Sequence, residues 1–254
     1  MTISQTWLAT NIVDEKYLEQ LKKVYSNHDL EKLLLLNIDL RLLYLKHLFM
    51  IENSLKNILL HQMFINELQN LENSHFLNQE HLKNLRRARR VIRAGYHKYS
   101  RNGVLKSKTI RSLIEVMSFE SIMTLLQTLN DENLKKVAQY FGLNEHNNQN
   151  ILLEQLEYLK DIRNYLSHNF KVLGVHFNQK RSNNNSYQQE LKANNDHHYL
   201  HLLIERYSSK NQILAVFTDE YKKLFQSYEV SHNGTISNST NNINPNVTNG
   251  NGAR

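Results

Sequence analysis

The sequence predicts an all-α protein, and three observations carry that prediction. The only proline, Pro245, lies near the C-terminus, and four of the seven glycines fall in the first 230 residues. A β-rich domain needs many turns, and turns depend on those two residues. Leu, Lys, Glu, Gln and Arg dominate instead, and all are good helix formers. The apolar residues then recur at helical rather than alternating spacing along most of the chain.

Taken in order, the first helix is expected from about Val13 to Val24, with Ser26-Asn27-His28-Asp29 as a turn and cap. The second runs from about Leu30 to the mid-60s. Its early part is apolar nearly all round, which marks a central helix contacted on several sides. Asn70 to Asn78 reads as a polar connection. A third helix starts at Gln79, with Leu82, Leu85 and Ile92 facing inward and a break bracketed by Gly95 and Gly103. Leu105 to Leu129 reads as one further helical stretch. Asn130-Asp131 caps a short helix that ends at Gly142, a residue suited to the left-handed position after a helix. A helix from Ile151 to about His168 follows a polar loop. Two more are expected at about His198–Tyr207 and Gln212–Tyr228, after a mobile Asn/Gln/Ser-rich loop at 179–195. Residues 1–230 thus form one all-helical domain. Residues 231–254 are rich in Asn, Ser, Thr and Gly, bury too little to offset their ordering entropy, and are expected to be disordered.

The chain has 254 residues, a mass of 30.1 kDa and 40% hydrophobic residues, enough for a sizeable core. It has no cysteine, which excludes disulfides, thiolate metal sites and a cysteine nucleophile. No signal peptide is recognisable at the N-terminus, and a cytoplasmic location is expected. The most apolar stretch, Leu33 to Leu60, is interrupted by Asp39, Arg41, Lys46, Glu52 and Lys56. A spanning helix wants ~20 predominantly apolar residues, so no membrane partner is expected. The usual signatures of P-loop and Rossmann enzymes, zincins and serine hydrolases are absent, and no cofactor is implied.

A net charge of +7 and a pI near 9.4 suggest an anionic partner. Much of that charge is local. Lys83 to Arg111 holds eleven Lys/Arg and no Asp or Glu. A solvated helix face normally interlaces both signs, whereas a single-sign run repels itself unless an anion lies nearby. Arg86, Arg87, Arg90, Arg93, Lys98 and Arg101 are the candidate nucleic-acid contacts, and Tyr96, His97 and Tyr99 beside them are suited to stacking on bases.

The second constellation is Arg163-Asn164-Tyr165-Leu166-Ser167-His168. Leu152, Leu156, Leu159, Ile162 and Leu166 make one apolar stripe on its helix. At about 100° per residue, Arg163 falls beside the centre of that stripe, where an unpaired charge is costly. It therefore needs a partner. Asn164 and His168 are i, i+4 neighbours, whereas Arg163 and His168 lie roughly 140° apart on a straight helix. The latter two converge only if the helix ends near Ser167-His168-Asn169 or if two copies meet. On spacing alone, a structural arginine and an ordinary surface histidine remain an open alternative.

RNYLSH resembles the RNxxxH motif of HEPN-domain proteins, and the chain around it resembles the Abi-like family of bacterial abortive-infection proteins, the AbiD/AbiF-like group. IENSLKNILL (Ile51–Leu60) is similar to that family's early helix with a glutamate and a downstream basic residue. SLIEVMSFESIMTLL (Ser112–Leu126) is similar to its "IEVxSFG" helix, and KKVAQYFGL (Lys135–Leu143) leads into the motif helix in the family's order. The resemblance covers about Asp29 to His176. Glu120 stands where the family often has glycine, Ser167-His168 where it has Ala-His, and its tryptophan before the IEV helix is absent. The resemblance implies a HEPN-like helical bundle with additional helices, and metal-independent RNA cleavage in phage defence or as a toxin. It makes His168 the general base or acid, Arg163 the phosphate-holding cation, and Asn164 a residue that orients the histidine or binds a phosphate oxygen. It also implies a homodimer with a composite cleft, and leaves room for an antitoxin or regulatory RNA as a further partner.

Three weaker features complete the reading. Glu52 and Lys56 form an i, i+4 pair, simplest as a surface ion pair, with Arg163 as an alternative partner for Glu52. Glu115 matches the glutamate of the IEV helix and has no derivable role. His197 and His201 share ligand spacing, but no fixed carboxylate joins them, so no metal site is expected. The same fold used as a non-catalytic holder of a regulatory RNA is the alternative to an enzyme. A DNA-binding regulator using the basic helix is a third reading.

Overall fold

The computed structural model describes residues 15–25, 29–61, 79–104, 109–143, 148–169, 171–173, 196–208 and 214–228. Among them every regular element is an α-helix and no strand occurs. In chain order these are α1 (Glu15–Val24), α2 (Leu30–Leu59), α3 (Gln79–Arg101), α4 (Ile110–Val116), α5 (Phe119–Leu126), α6 (Asp131–Tyr140), α7 (Asn148–His168), α8 (Asp196–Ser208) and α9 (Leu214–Ser227). The polar loop expected at 179–195, the tail at 231–254 and the side chains of Leu82 and Leu85 lie outside the described residues.

The axis of the fold is α2. Asp29 starts it by accepting a hydrogen bond from the Glu31 amide at 2.9 Å. Its 30 residues reach about 45 Å at 1.5 Å per residue. Because Leu33, Leu34, Leu36, Leu40, Tyr44, Leu48, Ile51 and Leu55 bury different sides, α1, α4, α5, α7, α8 and α9 all pack against it. The nearly all-round apolar pattern thus encodes a central helix, as expected. The helix stops at Leu59 instead of continuing into the mid-60s. The Arg111 guanidinium donates to the Leu60 carbonyl at 3.1 Å, meeting one of the acceptors left over at that end.

Two helix boundaries differ from the sequence reading. Gly95 lies within α3 and makes no break; it is buried there because a Cβ would sit 2.8 Å from Leu113 Cδ1 of α4. The glycine serves the close approach of α4 to α3, not a turn. The stop comes at Gly103, whose φ of +67° is the left-handed conformation glycine tolerates. The stretch expected as one helix from Leu105 to Leu129 is split into α4 and α5. Met117 and Ser118 are extended, and the Ser118 hydroxyl accepts from the Ser121 amide at 3.4 Å. A serine that can satisfy a free helix-start amide favours a new helix over continuation of the old one. The Asn130 cap of α6 and the left-handed Gly142 after it (φ +78°) are as expected.

Candidate functional site

The apolar stripe of α7 is buried as its spacing requires: Leu152, Leu156, Leu159, Ile162 and Leu166 all face the core. Arg163, beside them, finds its countercharge on α2. Arg163 Nη2 lies 3.4 Å from Glu52 Oε2, an ion-pair distance without hydrogen-bond geometry. Lys56 Nζ holds the other oxygen of Glu52 at 3.1 Å. Glu52 is 2% exposed, so the expectation of a surface ion pair with Lys56 is corrected: the carboxylate is buried and shared between two cations. Burial of a carboxylate demands such compensation.

Asn164 is half-buried, and its Oδ1 accepts from Arg163 Nη1 at 3.2 Å. No hydrogen bond joins it to His168, so of the two motif partners it contacts the arginine alone. His168 is exposed on the last residue of α7. The helix therefore ends where convergence of the motif would require. Within the chain, however, Arg163 faces the core-side Glu52 while His168 projects to solvent.

Two residues that the sequence reading did not single out shape this helix end. Arg41 of α2 donates from Nε to the Leu166 carbonyl at 2.5 Å and from Nη2 to the Ser167 carbonyl at 3.1 Å. Asn37, one turn earlier and 1% exposed, uses its Oδ1 to accept from the Val172 amide at 2.8 Å and the Leu173 amide at 3.0 Å. The Tyr17 hydroxyl of α1 reaches the same oxygen at 2.7 Å, and burial pushes the Tyr17 phenol well above its ordinary value. The available signal was two polar residues at i, i+4 inside the most apolar run of the chain.

The basic candidates lie on α3, away from this end of α7. Arg86, Arg87, Arg90, Arg93, Lys98 and Arg101 are all exposed. Arg86, Arg90, Arg93, His97 and Arg101 follow one another at spacings of four, three, four and four, a single stripe opposite buried Ala88 and Ile92. Arg87 departs from the stripe and pairs with Glu120 of α5 at 3.3 Å. The other oxygen of Glu120 meets Lys160 of α7 at 2.9 Å. Burial opposes the charge on Lys160, but its bonds to Glu157 and Glu120 outweigh that and push its pKa up to about 12. Glu120, where the resembling family often has glycine, thus ties the basic helix to the motif helix through α5. Glu115 is simply exposed on α4.

His201 is not placed for metal binding. Its Nε2 is 2.7 Å from the Tyr44 hydroxyl, and its ring lies edge-on to Tyr221 at 4.2 Å and Phe217 at 5.1 Å. The His197 side chain is outside the described residues. Among the described residues no group of three or more His, Asp or Glu could hold a metal ion, and no helix is long and apolar enough to cross a membrane.

No curated protein and no solved structure matches the chain. A family model, that of the Abi-like proteins, matches residues 9–174, which include α1 through α7, the Arg163–Glu52 pair and the Arg41 and Asn37 contacts behind His168. With well over half its length covered, the chain belongs to the Abi-like protein family.

Proposed function

We propose that this chain is a metal-independent endoribonuclease of the HEPN type, acting in the cytoplasm in abortive-infection defence or as a toxin. The observation that carries the reading is the pairing of Arg163 with a buried Glu52 on the helix whose last residue is the exposed His168. A guanidinium held beside a buried carboxylate is a placed donor for a phosphate, and an imidazole open to solvent is within reach of a substrate as general base or acid. In the reaction, the ribose 2′-oxygen attacks the adjacent phosphorus as an imidazole takes its proton. The P–O5′ bond then breaks, the 5′-oxygen receives a proton, and a 2′,3′-cyclic phosphate remains. Arg163 stabilises the charge that builds on the phosphorane oxygens. Asn164 and Glu52 support the arginine.

Arg163 and His168 of one chain point in different directions, so the reading includes a homodimer in which two motifs meet in one cleft. Leu42 and Phe49 support it. They lie seven residues apart on one face of α2, 53% and 55% exposed, next to Arg41 and close to Glu52. The stripe on α3 supplies the approach surface for RNA. The divergence of Arg163 and His168 within one chain also supports a second reading, a non-catalytic holder of a regulatory or antitoxin RNA.

Cleavage separates the two. Purified protein is expected to cut single-stranded RNA in EDTA, leaving 2′,3′-cyclic phosphate ends. His168→Ala is expected to bind RNA as before and to lose roughly 10²–10⁴-fold in turnover, the usual contribution of a general base or acid. Undiminished cleavage by His168→Ala, or dependence on added Mg²⁺, Mn²⁺ or Zn²⁺, would overturn the mechanism. Tight binding with no cleavage by the wild type would favour the holder.

A further inference from the structure

We propose that Arg41, together with Asn37, is the positioning residue that aims His168; this rests on the reading of α7 as carrying an RNA-cleaving motif. Among the described residues, the side chain of the exposed His168 has no hydrogen-bond partner that would set its direction. Among them, what orients the ring is the backbone that carries it. A helix end is a poor support on its own, because its last four carbonyls lack intrahelical donors and the last turn frays.

Arg41 removes that freedom. Its two contacts fall on the carbonyls of Leu166 and Ser167, and the second belongs to the peptide plane that carries the His168 nitrogen. The guanidinium presents its donors in a rigid fork, so holding two neighbouring carbonyls fixes their planes as well as their distance. Its permanent charge also suits the negative end of the helix. On the far side of His168, Asn37 holds the Val172 and Leu173 amides. Asn37 and Arg41 are i, i+4 on α2, so one face of one helix grips the chain before and after the histidine. Ser167 adds a local tie, its hydroxyl donating to the Arg163 carbonyl at 2.8 Å.

The test compares Arg41→Gln and Arg41→Lys with wild type in single-turnover RNA cleavage, RNA affinity across salt, and NMR of the His168 ring, assigned by difference from His168→Ala. Arg41→Gln is expected to lower the cleavage rate roughly 10–100-fold, the scale of an ångström-level misplacement, with affinity and its salt dependence unchanged. The His168 ring signals should shift or broaden, and exchange at the Leu166–Asn169 amides should quicken. Arg41→Lys, which keeps the charge and a donor, should recover part of the rate. Tyr228→Phe is the stability control. It removes a 2.6 Å bond to Asp39 on the same stretch of α2 without touching the end of α7, and should leave cleavage unchanged. Wild-type cleavage and ring signals in Arg41→Gln would overturn the proposal. So would a weaker affinity with a flatter salt dependence, which would make Arg41 a direct phosphate contact. If wild-type protein does not cleave RNA, the functional reading fails by itself; an unchanged His168 signal in Arg41→Gln would then overturn the positioning role separately.

Discussion

Arg163 occupies an apolar helix face because Glu52 neutralises it, and Glu52 is buried because Arg163 and Lys56 neutralise it in turn. Removing one member leaves the others uncompensated. Glu52→Gln is expected to cost about 1–3 kcal/mol in urea unfolding, below the loss for a wholly buried pair because Arg163 keeps access to water. It should also lower RNA cleavage by releasing the guanidinium. The need for a partner at Arg163 was legible from spacing alone, since the residue falls on the apolar stripe. Arg41 was not, because its contact with Leu166 spans 125 residues and periodicity carries no information across that distance. A second residue-scale consequence concerns acid. Burial holds the His47 imidazole below its ordinary 6.5, although Glu220, 3.2 Å away, pulls it upward. The unfolded chain then binds a proton that the folded chain resists, so stability falls as pH drops below about 6.5. Glu220 acts further down. Burial raises its pKa, but Lys46 and His47 more than offset that, so its share of stability is present above 4.5 and lost as pH falls through the lower folded value. The melting temperature should therefore drop between about pH 7.5 and 5.5, and His47→Gln should flatten that drop. An equally steep drop in the variant would remove His47 from the account.

At the scale of elements, the positions of the helices were readable and some of their ends were not. A glycine inside a helical pattern ordinarily suggests a break, yet Gly95 is there to let α4 approach α3. The single stretch from Leu105 to Leu129 kept helical periodicity across Ser118, and only cap geometry divides it. Across α3 and the start of α4 the sequence indicated which residues were unbalanced in charge; the fold then sorted them. Arg111 caps α2 and Arg87 pairs with Glu120, whereas Arg86, Arg90, Arg93 and Arg101 remain as an exposed stripe without an ion pair among the described residues. If that stripe meets single-stranded RNA, each lost phosphate contact flattens the log–log salt dependence by about 0.7. The triple Arg86/Arg90/Arg93→Gln variant should thus lower the slope by about 2. Affinity should weaken evenly across sequences, since phosphates carry no base identity. Arg87→Gln alone should change the slope less than any member of the stripe. An unaltered slope in the triple variant would place the RNA path elsewhere.

At the scale of the molecule, one chain supplies one Arg163 and one His168, and the straight helix between them keeps them roughly 140° apart. Arg163 lies beside the buried Glu52 while His168 is exposed at the helix end. A two-fold dimer resolves the geometry, because an isologous interface presents the same patch twice and can set Arg163 of one copy beside His168 of the other. The exposed Leu42 and Phe49 are the apolar centre that the proposed interface would use, so Phe49→Glu should produce a monomer by light scattering that no longer cleaves RNA. Complementation is the sharper test. Arg163→Ala protein keeps its histidine, and His168→Ala protein keeps its arginine. Each alone should be inactive. Mixed, unfolded and reassembled in equal amounts, half the dimers become heterodimers. Each heterodimer has one intact pairing and one doubly deficient one, so activity should return to about a quarter of wild type if the two-fold arrangement holds. A mixture as inactive as its components would mean that Arg163 and His168 serve the same chain or do not act together. Recovery should also require chain exchange: mixing preformed dimers that do not exchange should restore nothing, which separates a composite site from trace contamination by wild-type enzyme.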